Sequence, residues 1–386
     1  MYNILTLNKI SSTGIKNFTS EYKCSDDVQN PNAILVRSAS MHDMAFSDDT
    51  LCIARAGAGV NNIPVDKCAE QGIVVFNTPG ANANAVKELV LCGLLLSSRK
   101  IVPAIDWVKV SLRGSENFSK DVEKGKSAFA GPEIKGKKLG VIGLGAIGVL
   151  VANAAQSLGM QVYGYDPYLS VDAAWNLSRN VKHVTNLDEI FNDCDYITLH
   201  VPLTDDTRSL VNTVSIAKMK DNVRILNFAR GELVDTNDIA YALTEGKVAA
   251  YITDFGCEEL LDVPGAIILP HLGASTPESE DNCAVMAVNQ VKDYLENGNI
   301  VNSVNFPNVS VPRSGKTRIG IIHKNIPNVI SRVTTAVADE GINIDNMVNK
   351  SKGEYAYTLV DTDTNITDKS LEVINSVDGV IRTRIF

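Results

Sequence analysis

The sequence predicts an α/β protein built on a Rossmann-type parallel sheet, with another α/β layer before it and a small ferredoxin-like domain after it. Three observations carry this. Continuous apolar runs alternate with helical patterns between residues 139 and 270, as in parallel strands buried on both faces. Gly143-Leu144-Gly145-Ala146-Ile147-Gly148 follows the first of these runs and opens a helix. The last 70 residues, Thr317–Phe386, read strand–helix–strand–strand–helix–strand, the ferredoxin-like order.

Taken in order, AILV (33–36), LCIA (51–54) and GIVVF (72–76) are short apolar runs, each followed by polar or glycine-containing residues, and predict strands of the first layer. Asn77-Thr78-Pro79-Gly80 closes the segment as a turn. From Asn84 to about Val110 an apolar 3.6-residue pattern predicts a largely buried helix. After a polar stretch come LGVIG (139–143), MQVYGYD (160–166), DYITLHV (195–201), VRILNFA (223–229), AAYITDF (249–255) and AIILP (266–270) as strands. Ser275-Thr276-Pro277-Glu278 is a capping box with proline in the first turn. It opens an amphipathic helix that Asn297-Gly298-Asn299 stops. Residues 301–316 read as a linker to a separate small domain.

Composition excludes several classes. The 386 residues are 45% hydrophobic and 21% charged, ordinary for a soluble globular protein and enough for two or three domains. No apolar run of about 18 residues exists, so no spanning helix is expected. The N-terminal stretch lacks a basic region followed by an apolar one, so secretion is not expected, and a cytoplasmic protein is. A net charge of −9 (36 Lys and Arg against 45 Asp and Glu) argues against a nucleic-acid partner. Seven scattered cysteines with no CxxC pair read as reduced thiols, and no metal site is expected.

The glycine turn predicts a dinucleotide site. The first glycine permits the tight turn, the second lets backbone approach a pyrophosphate, and the third lets the helix pack on the strand. Asp166 ends the next strand, where a carboxylate accepts from ribose hydroxyls and repels a 2′-phosphate. That favours NAD over NADP.

Three polar groups fall at the carboxyl ends of strands, where ligands of open parallel sheets bind. Arg230 follows ILNFA, His271 follows AIILP, and Glu258 and Glu259 follow the run ending at Asp254-Phe255. Oxidation of a hydroxy acid needs a base for the hydroxyl proton, a cation on the carboxylate and carbonyl, and a carboxylate to orient the base. Imidazole, guanidinium and carboxylate supply these.

With His200-Val201-Pro202-Leu203-Thr204, Asn227-Phe228-Ala229-Arg230-Gly231 and Pro270-His271-Leu272-Gly273-Ala274-Ser275-Thr276 added to the glycine turn and Asp166, nearly the whole chain resembles the D-isomer-specific 2-hydroxyacid dehydrogenases, in a form with a C-terminal ACT domain. The resemblance implies a doubly wound Rossmann domain (91–274) inserted into a flavodoxin-like α/β substrate domain (1–90 and 275–306), a linker (307–316), and a ferredoxin-like ACT domain (317–386) for regulation or assembly. It implies Arg230 on the substrate carboxylate, His271 as acid/base, and Glu259 as its partner, with Glu258 one residue out of step as the other choice. It implies NAD contacts at Gly143, Gly145, Ala146, Ile147, Gly148, Asp166, Pro167, His200, Val201, Pro202, Thr207, Phe228, Ala229, Arg230, Asp254, His271, Gly273 and Ala274.

The resemblance further implies substrate contacts at Arg37 and Ser38, at Arg55, Ala56 and Gly57, and at Asn77. Two arginines at strand ends of an acidic chain suit a phosphorylated substrate. The activity implied is NAD-dependent oxidation of 3-phospho-D-glycerate to 3-phosphohydroxypyruvate, the entry step of L-serine synthesis. The alternatives are an NAD(P)H-dependent reductase of another small 2-keto acid, such as glyoxylate or hydroxypyruvate, and an NAD-sensing corepressor-like binding protein. The resemblance also implies a homodimer or homotetramer. In addition, it points to L-serine held at paired ACT domains by His323, Asn325 and Asn343, with Asn328 standing where such domains carry glycine.

Overall fold

The computed structural model describes Met1–Phe386, apart from the side chain of Asp368. The chain forms two units, Met1–Asn82 with Pro277–Phe386, and Ala83–Thr276.

The first unit holds a five-stranded parallel sheet of β1 (Tyr2–Leu7), β2 (Tyr22–Ser25), β3 (Ala33–Val36), β4 (Cys52–Arg55) and β5 (Val74–Phe76), in the order β2-β1-β3-β4-β5. That is the flavodoxin-like order. β3 is buried throughout and β4 at every residue but its last, which is why both read as continuous apolar runs. β1 and β2 went unseen in the sequence because only their middle or first residues are buried. The helix Pro277–Asn297 starts at the proline, and Gly298 follows it at φ +71°. Its Ala287, Val288 and Val291 pack with Leu35, Ala54 and Val74 of the sheet.

The second unit is a seven-stranded, wholly parallel sheet: β6 (Lys138–Ile142), β7 (Gln161–Tyr165), β8 (Lys182–His183), β9 (Tyr196–Leu199), β10 (Val223–Asn227), β11 (Val248–Thr253) and β12 (Ala266–Ile268). Its order is β12-β11-β10-β9-β6-β7-β8, so the strand order reverses at β6, where doubly wound sheets bind ligands. The helix expected from Asn84 to Val110 instead runs Ala83–Ser98 and restarts at Ile101–Asp106. Pro103 is the physical reason: it fits a first turn but not a helix interior.

The C-terminal residues form an antiparallel sheet of β13 (Thr317–Lys324), β14 (Ile344–Lys352), β15 (Tyr355–Thr362) and β16 (Val380–Ile385), in the order β14-β15-β13-β16, with helices Val329–Asp339 and Asp368–Asn375. It is not a separate body on a free linker. Ile322, Tyr357 and Leu359 share one core with Tyr294, Leu295 and Phe306. Val309, inside the expected linker, is fully buried and bridges Ile300. Arg318, with no exposed surface, grips Asp361 through two hydrogen bonds of 2.6 and 2.8 Å and donates to the carbonyls of Asn297, Val311 and Pro312.

Among the described residues, no helix is long and apolar enough to cross a membrane, and no group of three or more His, Cys, Asp or Glu is placed to hold a metal ion.

Candidate active site

The glycine turn after β6 is built from packing. Gly143 has φ +93°, and a Cβ there would sit 2.6 Å from the His200 carbonyl oxygen. A Cβ at Gly148 would collide with the Gly143 carbonyl, whereas one at Gly145 would meet nothing. Two of the glycines are thus required by the chain itself, and the middle one fronts open space. The helix Ala146–Ser157 begins there with no side-chain cap, so its first N–H groups suit an anion. Asp166, just past β7, accepts from Leu144 N–H and Tyr168 N–H, each at 2.8 Å. A carboxylate has about four acceptor positions, which leaves it able to take ribose hydroxyls. Pro167 beside it is exposed.

His200 follows β9. One ring nitrogen lies 3.0 Å from Thr198 Oγ1, and the other is buried without a partner. Burial pushes its pKa down to about 3, so the ring is neutral and cannot serve as the acid/base near neutrality. The turn Val201–Thr207 is tied by Thr207 Oγ1, which donates to Pro202 O at 2.7 Å and accepts from Thr204 N–H.

At the end of β10, Asn227 is fully buried, accepts from Ala229 N–H and donates to Arg230 O at 2.8 Å. It fixes the Phe228–Arg230 loop that puts the Arg230 side chain in solvent. The sequence reading left Asn227 out of the site, although a buried amide at a strand end is a positioning signal.

Asp254 directly follows β11 and is 2% exposed. One carboxylate oxygen accepts from Gly273 N–H at 2.8 Å, and the other has no partner. Burial pushes this carboxyl up, opposed by the Gly273 N–H and the nearby His271. Its main-chain oxygen accepts from His271 N–H at 2.9 Å. His271 itself stands at φ +52°, exposed, with its ring edge-on to Phe255 at 5.4 Å. A cavity of about 520 Å³ is lined by Gly231, Asp254, Phe255, Cys257, Pro270 and His271, among others. The partnerless buried carboxylate oxygen, the open face of Gly145 and the uncapped helix end all fit a dinucleotide with an amide-bearing ring.

Glu259 is not brought to His271. It is exposed, and its carboxylate accepts from Cys257 Sγ at 3.1 Å. Glu258 is exposed as well. The short 3₁₀ turn Glu258–Leu260 buries Leu260, and that inward anchor turns both glutamates out. The carboxyl group that His271 acts on electrostatically is Asp254.

In the first unit, the predicted substrate residues gather at the carboxyl ends of β3, β4 and β5. Arg37 pairs with Glu280 at 2.7 Å. Arg55 Nε donates to Arg37 O at 3.0 Å, and a side chain at Gly57 would collide with its guanidinium. Ser38 N–H donates to Asn8 Oδ1, Ala56 N–H to Val36 O, and Asn77 Nδ2 to Ala58 O at 2.6 Å. Asn8 and Glu280 were not legible as site residues, because their partners lie far along the chain.

The three effector residues are not brought together within the chain. His323 is buried, with its ring nitrogens against Lys324 O and Thr358 Oγ1. It lies opposite Ala356 on β15, whereas Asn343 O meets Asp363 N–H. Seven residues of strand put them about 23 Å apart. Asn325 is exposed and donates to Gly353 O. Asn328 takes φ +71° before its helix, a conformation asparagine tolerates, so it substitutes for glycine without crowding.

Residues 94–273 match the NAD binding domain of the D-isomer specific 2-hydroxyacid dehydrogenases. A D-3-phosphoglycerate dehydrogenase of Haemophilus influenzae is 34% identical over 339 residues, 85% of this chain and 79% of that one. The NAD+-bound 3-phosphoglycerate dehydrogenase of Entamoeba histolytica is similar with a TM-score of 0.60 at 25% identity, over 79% of this chain and 98% of that one. A glyoxylate reductase from Paecilomyes thermophila gives 0.65 at 25%, over 78% and 98%. The chain belongs to the D-isomer specific 2-hydroxyacid dehydrogenase family. Its cofactor is NAD.

Proposed function

We propose that the chain oxidises 3-phospho-D-glycerate to 3-phosphohydroxypyruvate. NAD, when bound, supplies the hydride acceptor. His271 takes the hydroxyl proton, and Arg230 holds the carboxylate through its planar fork and polarises the forming carbonyl. Asp254 ties the loop that carries His271 and presents its free oxygen to the nicotinamide amide. Arg55 and Arg37 read the substrate's phosphate. The observation that carries this reading is the joint placement of His271 and Asp254 around one cavity, on the sheet whose glycine turn fits a pyrophosphate. The sequence likeness to D-3-phosphoglycerate dehydrogenase, at 34%, favours this substrate over glyoxylate. Glu259 enters only if a local rearrangement frees it from Cys257.

The antiparallel sheet order supports an ACT-type module. Within one chain, the burial of His323 speaks against a serine pocket, so a serine site needs a second copy. The exposed apolar residues Ile101, Ile105, Val110 and Phe118 support a homo-oligomer through the dinucleotide unit. The deciding experiment follows absorbance at 340 nm with NAD and 3-phosphoglycerate against NADH and glyoxylate. Turnover confined to glyoxylate overturns the assignment.

A further inference from the structure

We propose that the cleft between the β14–β15 hairpin and the segment 302–308 binds a small phosphate-type dianion, apart from the phosphate of the substrate. The cleft measures about 450 Å³ and lies wholly within the first unit. Its floor is Phe306 and its rim is Asn77, Asn302, Asn308, Lys350 and Lys352. No Asp or Glu lines it, so its field favours an anion.

The placement follows from strand alternation. Val348, Lys350 and Lys352 share one face of β14, and Val348 packs on the core that the antiparallel sheet shares with Phe306. The two ammonium groups continue that face over the cleft. Lys352 Nζ donates to Ser303 O at 3.1 Å. Burial lowers its pKa with no carboxylate to offset it. Among the described residues, Lys350 forms no ion pair and no side-chain hydrogen bond, and neither do the carboxamides of Asn302 and Asn308. Two ammonium groups, which only donate, and two carboxamides without a partner, each able to present its NH2, line one space. Phosphate, with its several acceptor oxygens, suits such a set of donors better than a single carboxylate. The volume of the cleft, about 450 Å³, leaves room for the organic part of a phosphate ester.

Occupation reaches the substrate-side turn through main chain. Asn302 stands at φ +61° and its carbonyl accepts from Asn77 N–H, while Ser303 bridges Phe76. An anion that ties the hairpin to residues 302–308 therefore stiffens the turn at Asn77.

The test is calorimetric titration of inorganic phosphate into the full-length protein held in its dead-end complex with NADH and 3-phosphoglycerate, at fixed ionic strength set with chloride. One phosphate per chain is expected. Lys350→Gln with Lys352→Gln weakens it at least about tenfold, the loss of one charge-assisted contact or more. Lys350→Gln alone keeps the Lys352–Ser303 bond and weakens it in the same direction. In phosphate-free buffer both variants keep the kcat and KM of the parent. Glycerol phosphate in place of phosphate separates an ester from the free ion: tighter binding marks the ester, equal binding the ion, and both support the site. No heat beyond the chloride control, or unchanged binding in both lysine variants, overturns it. Failure of 3-phosphoglycerate to form the dead-end complex would instead count against the substrate assignment, and phosphate is then titrated into the NADH complex alone.

Discussion

The two parallel sheets carry at their carboxyl ends two kinds of group suited to an anion, and in the proposed function each serves as a receptor. At β6 the receptor is backbone: two glycines demanded by packing, one left open, and an uncapped helix end. At β3 and β4 it is side chain, two arginines held by a carboxylate and a carbonyl. A backbone receptor writes itself into consecutive residues, because each glycine has a fixed geometric duty. A side-chain receptor does not, since Glu280 and Arg37 meet across more than 240 residues. The first kind resists small changes and fails abruptly, whereas the second is tunable.

The largest effect belongs to the chemistry next to the backbone receptor. His271→Asn should lower kcat by about 10²–10⁴-fold, the usual worth of general acid–base assistance, while NADH still binds by fluorescence titration. A variant within tenfold of the parent would take His271 out of the proton transfer.

The glycine turn can be broken at two positions with opposite signatures. Gly148→Ala forces a methyl against the Gly143 carbonyl. It should destabilise the unit by about 1–3 kcal/mol and also weaken NAD. Gly145→Ala meets no protein atom, so the melting temperature should hold while NAD affinity falls. If Gly145→Ala bound NAD like the parent, the open face of the turn would not be where the pyrophosphate lies.

His200 gives the dinucleotide unit a pH dependence of its own. Its ring is held neutral, with the pKa pushed down from an ordinary 6.5 to about 3. The unfolded chain binds a proton in that window that the fold does not, so stability rises with pH there. As pH falls below about 6.5, this group should cost about 1.4 kcal/mol per pH unit. Urea midpoints measured from pH 7 to pH 5 should drop, and His200→Gln should flatten part of the slope. An identical slope in the variant would assign the loss to other groups.

Legibility followed the same division. Six strands of the second sheet and the glycine turn could be read because buried parallel strands are continuous apolar runs and the turn is local, whereas β8, two exposed residues at the sheet edge, left no such run. Asp254 and His271 fell at strand ends, as sheets of this kind require. The orientation of Glu259 could not be read, because it depends on which of three adjacent residues the 3₁₀ turn buries, and Leu260 takes that place. Nor could the docking of the C-terminal sheet. Arg318 reads as one more surface charge until Asp361 and three carbonyls are found around it. Residues 301–316 look like a linker because proline, serine and asparagine are frequent there, yet Val309 is core.

The smallest effect tests the tunable receptor directly. Glu280 occupies the Arg37 guanidinium at 2.7 Å, and both side chains are about two-fifths exposed. An ion pair so exposed is worth up to about 1 kcal/mol, so the substrate's phosphate must displace a weak competitor before Arg37 can bind it. Glu280→Gln keeps the size of the side chain and removes the charge. It should lower KM for 3-phosphoglycerate by up to about fivefold with kcat unchanged. Glyoxylate carries no phosphate, so its KM should not move. A rise in KM for 3-phosphoglycerate would mean that Glu280 aims Arg37 at the phosphate and does not compete for it. Equal changes for both substrates would mean that Arg37 does not read the phosphate, which would leave Arg55 as the cation of this sheet to do so.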